Sequence, residues 1–125
     1  MAEIVVRATF AGEPLSKGRP RVVRGNAYTP ARTRQAEAAI RWQLRAVAPR
    51  LNERDELGVR LRFFSGTRRR RDLDNLVKLV LDACNGVVWA DDAQVVALDA
   101  SVERGVSDPR TELEVYVIDR ARAAA

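Results

Sequence analysis

Four consecutive arginines, Arg68, Arg69, Arg70 and Arg71, run directly into Asp72-Leu73-Asp74, and Lys78 follows four residues after the second carboxylate. A second acidic pair, Asp91-Asp92, comes just after Trp89-Ala90. These residue types suit a phosphodiester. Arginine presents a planar fork of donors that matches phosphate, and grouped carboxylates hold a hard divalent cation. Side chains at i and i+2 of an extended backbone project to the same side, so Asp72 and Asp74 can face one ion. Asp91 or Asp92 must then complete the set from the far end of the intervening helix. Neighbouring residues point apart, so one of this pair is expected to ligate and the other to support it. Crowded carboxylates raise each other's pKa, a cost that a bound cation removes. Such an ion lowers the pKa of its bound water and stabilises charge on phosphoryl oxygens. Lys78, one helical turn from Asp74, can offset charge on a phosphorane or position water.

Each of these residues also has a plain structural use. Asp72 suits a helix N-cap, and Asp74 is a favourable acid for a first turn. Asp74 and Lys78 have the i, i+4 spacing of an ion pair worth about 0.2–0.5 kcal/mol. Asp91-Asp92 fits an ordinary polar turn. The arginine run alone is a solvated, self-repelling loop that phosphates would order. On residue types alone, a metal-dependent nuclease and a non-catalytic basic DNA-binding module both stay open.

The rest of the composition narrows the chemistry by exclusion. The 125-residue chain has no histidine, which removes Ser-His-Asp triads, Cys-His dyads and histidine-ligated zinc. Its single Cys84 can form neither an internal disulfide nor a cysteine-rich metal site. Hydrolysis here must therefore use carboxylates with a hard metal, or no metal. A net charge of +5 and a pI of about 10.3 point to an anionic partner. Lys17 and Lys78 are the only lysines among 22 cations, so nearly all the positive charge is arginine. No apolar run approaches a membrane span, and the N-terminus lacks the apolar core of a signal peptide. The expected location is cytoplasmic.

The elements that must carry these residues read as one α+β domain over residues 1–120, with a frayed tail at 121–125. Ile4 to Phe10 alternates as a first strand. Ala11 to Ala27, rich in Gly, Pro and Arg, reads as a mobile basic loop containing Lys17, Arg19 and Arg21. Thr29-Pro30 suits an N-cap followed by proline at the first position of a helix over about 31–48. Its apolar stripe is Ala36, Ala39, Ile40, Gln43, Leu44 and Val47. Glu56 to Ser65 alternates as a half-buried strand. Leu73, Leu76, Val77, Val80, Leu81 and Cys84 form a second helical stripe, ended by Gly86. Residues 93–102 and 112–118 read as two more strands, paired as a hairpin. The order β-α-β-α-β-β predicts a mixed sheet with helices packed on it.

The segment RRRRDLDNLxK followed by WxDDAQVV resembles the RusA family of Holliday-junction resolvases, or crossover junction endodeoxyribonucleases. Weaker similarity runs from Lys17-Gly18-Arg19-Pro20-Arg21 to the C-terminal strands. The resemblance implies Mg²⁺- or Mn²⁺-dependent cleavage of four-way DNA junctions in recombination and repair. The family's essential aspartates fall on Asp72, Asp74 and Asp92, with Asp91 a supporting acid and Lys78 the functional lysine. Arg68 to Arg71, with Lys17, Arg19 and Arg21, are then the expected DNA contacts. The N-terminal loop departs from members that carry Pro-Pro-Ser-x-Asn, which leaves cleavage preference unassigned. A junction's two-fold symmetry calls for paired nicks, and so for a C2 homodimer, as in other members; Trp42 and Trp89 are candidate interface residues. No membrane and no small-molecule cofactor is implied. A nuclease for flaps, single strands or RNA is the remaining alternative.

Overall fold

A computed structural model describes residues 3–18, 21–28 and 30–118. The element order is β1 (Ile4–Ala11), β2 (Arg21–Val23), β3 (Asn26–Tyr28), α1 (Ala31–Val47), β4 (Leu57–Ser65), α2 (Leu73–Cys84), a 3₁₀ turn (Asp92–Gln94), β5 (Val95–Arg104) and β6 (Arg110–Val117). The expected α+β fold with a mixed sheet and two helices is what forms. The main sheet has the order β1-β6-β4-β5, with β4 and β5 parallel and the other pairs antiparallel.

Alternation decides which face of the sheet is covered. Leu57, Val59, Leu61 and Phe63 of β4 and Leu113 and Val115 of β6 are buried on the helix side. They pack with Leu76, Val77 and Val80 of α2 and with Val88 and Trp89 beyond it. Removing a side chain such as Leu61 would cost about 2–5 kcal/mol through lost transfer energy and a cavity. The opposite face carries Arg7, Arg60, Arg62, Glu112 and Glu114, and is laced by ion pairs. Gly58 lies there under the ring of Tyr116, which a methyl group at Gly58 would overlap.

The sequence misjudges several local features. The two C-terminal strands are not a hairpin, because β4 lies between them and pairs with both. The Gly105–Pro109 connection therefore crosses the end of β4, where Val106 N donates to Ser65 O at 3.0 Å. The basic loop contains a β2–β3 hairpin whose turn places Arg24 and Gly25 at φ 51° and 80°. Positive φ at both central residues is the geometry of a two-residue hairpin turn. Residues 12–18 form no loose loop either, being hydrogen-bonded to β4, α1, α2 and the segments between them. Pro30, not Thr29, is the α1 N-cap; Thr29 and the expected tail lie outside the described residues. On α1 the buried positions are Thr33, Glu37 and Leu44, whereas Ala39, Gln43 and Val47 are exposed. Trp89 is fully buried and unavailable to an interface, while Trp42 is 74% exposed.

α2 keeps the expected stripe. Asn85 caps its C-terminus and Gly86 follows at φ 80°. The β4–α2–β5 unit sets the geography of the site. The arginine run leaves the C-terminal end of β4, α2 runs back, and the acidic turn precedes the N-terminal end of β5. Among the described residues no helix is long and apolar enough to cross a membrane.

Candidate active site and nucleic-acid groove

The N-terminal end of α2 borders a basic groove. A cavity of about 650 Å³ is lined by Ser16, Gly18, Arg32, Thr33, Arg69, Arg70, Arg71, Asp72 and Asn75, among others. One wall is the start of α1, one is the arginine run, and the floor is the first turn of α2. Two helix N-termini therefore face the same opening, and each carries the partial positive charge that favours an anion.

The segment before the hairpin is strapped across this site. Gly12 N donates to Pro109 O at 3.0 Å, and Lys17 N donates to Asn75 O at 2.9 Å. Glu13 accepts from Ser65 Oγ at 2.6 Å and from Gly66 N at 2.8 Å. Arg71 donates to the Pro14 carbonyl at 2.7 Å. Gly18 N donates to Thr33 Oγ1 at 3.0 Å, and a Cβ on Gly18 would sit 2.7 Å from that same oxygen. A glycine is required for so close an approach.

Lys17 does not project into the groove. Its ammonium lies 2.6 Å from Glu37 Oε1 and 3.0 Å from Asp82 Oδ2, with only 16% of the side chain exposed. Burial lowers its pKa, but the hydrogen bonds and charges of Glu37 and Asp82 outweigh that and hold it above 10.5. Arg41 adds a 3.3 Å contact to Glu37 and donates to the carbonyls of Asp82 and Ala83. This network ties the strap, α1 and α2 together. Glu37, Asp82 and Arg41 were not singled out from the sequence. The readable signal was that Glu37 shares a helix face with Thr33 and Leu44, where a carboxylate needs a partner.

Arg68, Arg69 and Arg70 are exposed, and among the described residues no carboxylate lies within 4 Å of any arginine from Arg68 to Arg71. The run is shaped by its backbone: Arg104 Nε donates to Arg69 O at 3.3 Å, and Gly105 N to Thr67 O at 3.2 Å. Arg19 and the side chain of Arg21 lie outside what is described.

The aspartates divide between the two ends of α2. Asp72 occupies the N-cap, yet its carboxylate makes no capping hydrogen bond and is exposed. Asp74, also exposed, accepts from Asn75 N at 3.0 Å. Lys78 is exposed one turn on, with no ion pair to Asp74 within 4 Å. Asp91 and Asp92 follow the other end of the 12-residue helix, roughly 18 Å away at 1.5 Å per residue. Asp91 Oδ1 accepts from Ala93 N at 3.1 Å, while Gln94 Oε1 accepts from Asp91 N at 3.4 Å, so Asp91 serves as a cap. The Ala93 amide holds Asp91 below its ordinary pKa. The neighbouring Asp91 carboxyl and then partial desolvation raise Asp92, with the Asp82 charge adding to the effect.

A divalent ion does not find its expected four-carboxylate set within one chain. Among the described residues no three His, Cys, Asp or Glu side chains gather as a metal site. One end offers Asp72 and Asp74 beside the arginines, and the other offers Asp92 with Asp91 already engaged. Cys84, buried in the core with its thiol pushed up to about 12 by desolvation, plays no part.

Comparison with known proteins bears on this geometry. A family model described as Endodeoxyribonuclease RusA matches residues 11–116, which takes in the strap, the groove, both acidic pairs, β4, β5 and all but the last residue of β6. No curated protein matches the chain.

Proposed function

The chain belongs to the RusA endodeoxyribonuclease family, and on that premise we propose that it is a cytoplasmic, homodimeric resolvase. It hydrolyses phosphodiesters of four-way DNA junctions in opposed pairs, with Mg²⁺ or Mn²⁺ as cofactor. The observation that supports this best is the groove: a row of arginines without carboxylate partners ends at Asp72, whose own carboxylate is not used as a cap.

The chain's own groups have clear parts in this reading. Arg69, Arg70 and Arg32 hold phosphates of one strand, positioning the backbone without reading bases. The N-termini of α1 and α2 add anion attraction. Arg71 holds the strap through Pro14 and so fixes the groove's width. Asp72, Asp74 and Asp92 are the groups whose loss abolishes hydrolysis, and Lys78 offsets charge that builds on the phosphorane oxygens. Lys17 acts through the strap, as a positioning residue. Asp91 is the one acid for which the structural use is already visible, through its cap.

The test is cleavage of a synthetic four-way junction beside its linear arms, with cuts mapped on every strand. Paired, symmetry-related nicks in the junction and intact arms are expected. Equal cleavage of the arms would reassign the protein as a nuclease of broader substrate, and binding without cleavage would leave a DNA-binding module.

A further inference from the structure

The β2–β3 hairpin is rooted at the rim of the basic groove. The chain enters it after Gly18 and leaves it before Pro30, and both of these residues line the cavity. Both roots are held on α1. Gly18 N donates to Thr33 Oγ1 at 3.0 Å, and Pro30 is the α1 N-cap, its carbonyl accepting from Arg34 N at 3.1 Å. Within the hairpin Val22 lies opposite Ala27 and Val23 opposite Asn26, and Arg24-Gly25 closes the turn. Each strand has three residues, which at about 3.3 Å apiece span roughly 10 Å. The grooves of B-DNA are about 8.5 and 7.5 Å deep, so the hairpin is long enough to pass from a phosphate to the bases.

The side chains at its tip suit no packing inside the chain. Val22 is 70% exposed and Val23 is 51% exposed, and Ala27 is exposed as well. Successive residues of a strand point to opposite faces, so one surface laid against the hairpin covers only one of the two valines. An occupant that covers both must have two sides. The gap between unstacked base pairs has that shape, and apolar wedges between base steps are one way that proteins hold DNA bent or open. Charge selects the same partner. Residues 21–28 carry Arg21 and Arg24 and no acid, which suits nucleic acid and opposes pairing of the hairpin with its own copy. Arg24 sits at φ 51°, in a turn position that Asn, Asp or Gly fills at less cost. The tip thus keeps a cation where the backbone favours other residues.

We propose that this hairpin is a wedge for branched DNA: Val22 and Val23 enter the base stack at the branch point, and Arg24 holds the phosphate beside it. This rests on the nuclease reading for its substrate. Opening a base step is costly in continuous duplex and cheapest where pairing and stacking are already broken. A branch point is such a place. The groove arginines hold any phosphate backbone, and the wedge adds a preference for junctions over linear duplex without reading sequence.

The test follows binding without cleavage, in EDTA, with 2-aminopurine beside the branch point of a synthetic junction. Binding of the wild type should raise the fluorescence of this probe and leave a mid-arm probe unchanged. Val22→Ser/Val23→Ser should still bind, with an unchanged slope of log affinity against log salt, because no phosphate contact is lost. It should lose the fluorescence rise and the preference for a junction over its linear arms. Val22→Ile/Val23→Ile keeps both apolar faces and the strand propensity, and should retain the rise and the preference. A full rise from the serine variant, no rise from the wild type, or no rise from the isoleucine variant overturns the wedge. So does a DNA-free dimer that the serine substitutions dissociate, which would assign the tip to a second copy. A wild type that brightens the branch-point probe yet cuts no junction sinks the nuclease reading and leaves the wedge. One that cuts junctions without brightening the probe does the reverse.

Discussion

Two groups of arginines in this fold have opposite surroundings. On the outer face of the sheet, Arg7 reaches Glu114 at 3.0 Å, Arg62 reaches Asp99 at 3.0 Å, and Arg110 reaches Glu112 at 3.0 Å. Strand register supplies these acids, since Arg7 and Arg60 both lie opposite Glu114 and Arg60 also pairs with Asp99. In the groove, Arg32, Arg69 and Arg70 share the lining with the first residues of two helices, Asp72 among them, and make no ion pair among the described residues. The sheet neutralises its cations internally, whereas the groove arginines have no carboxylate within 4 Å among the described residues. Net charge alone does not distinguish these uses; partner geometry does.

The sharpest way to break this comparison is at the groove's acidic end. Asp74→Asn and Asp92→Asn should each lower junction cleavage by about 100-fold or more, on the scale of removing one preorganised charge from a site. Junction binding should persist in a gel-shift assay. Retained cleavage by either variant would remove that aspartate from the chemistry. Next in size is the strap: Glu37→Ala leaves Lys17 buried beside a single remaining carboxylate. Breaking such a pair costs about 3 kcal/mol, measured by urea unfolding, and an unchanged midpoint would mean that the network does not bind the strap. Exposed pairs on the sheet face should matter less, so Arg7→Gln should cost no more than about 1 kcal/mol.

The smallest effect is a pH dependence at Asp92. Its folded pKa is raised above 3.8, so its contribution to stability is fully present below that pH. The contribution is lost as pH rises through the folded value. Without divalent metal, Asp92→Asn should therefore melt slightly higher than wild type at pH 7, and the two should converge below pH 3.8. A difference that persists in acid would assign the gain to something other than titration.

What was legible in the sequence follows from where physics is local. The stripe of α2, its N-cap at Asp72 and the glycine after its end are short-range signals, and they placed the helix and its flanking motifs. The pairing of β5 and β6 was not legible, because adjacency in sequence does not reveal that β4 lies between them. Glu37 was not legible because a carboxylate is usually a surface residue, and its burial is compensated by Lys17 from another segment together with Arg41 one turn on. The mobile-loop reading of residues 12–18 failed for the same reason. Their hydrogen-bond partners lie on β4, α1 and α2. The acidic residues were legible as types, but 12 helical residues hold the two pairs apart, and no spacing rule assembles them in one chain.

The contrast between groove and sheet face is tested most directly by junction affinity as a function of salt for two matched double variants. Arg69→Gln/Arg70→Gln removes groove cations, and Arg60→Gln/Arg62→Gln removes sheet-face cations. The groove variant should bind more weakly, and its slope of log affinity against log salt should shrink by about 1.8, or 0.9 for each lost phosphate contact. The sheet-face variant should keep the wild-type slope. Equal losses from both variants, or a larger loss from the sheet face, would contradict the account.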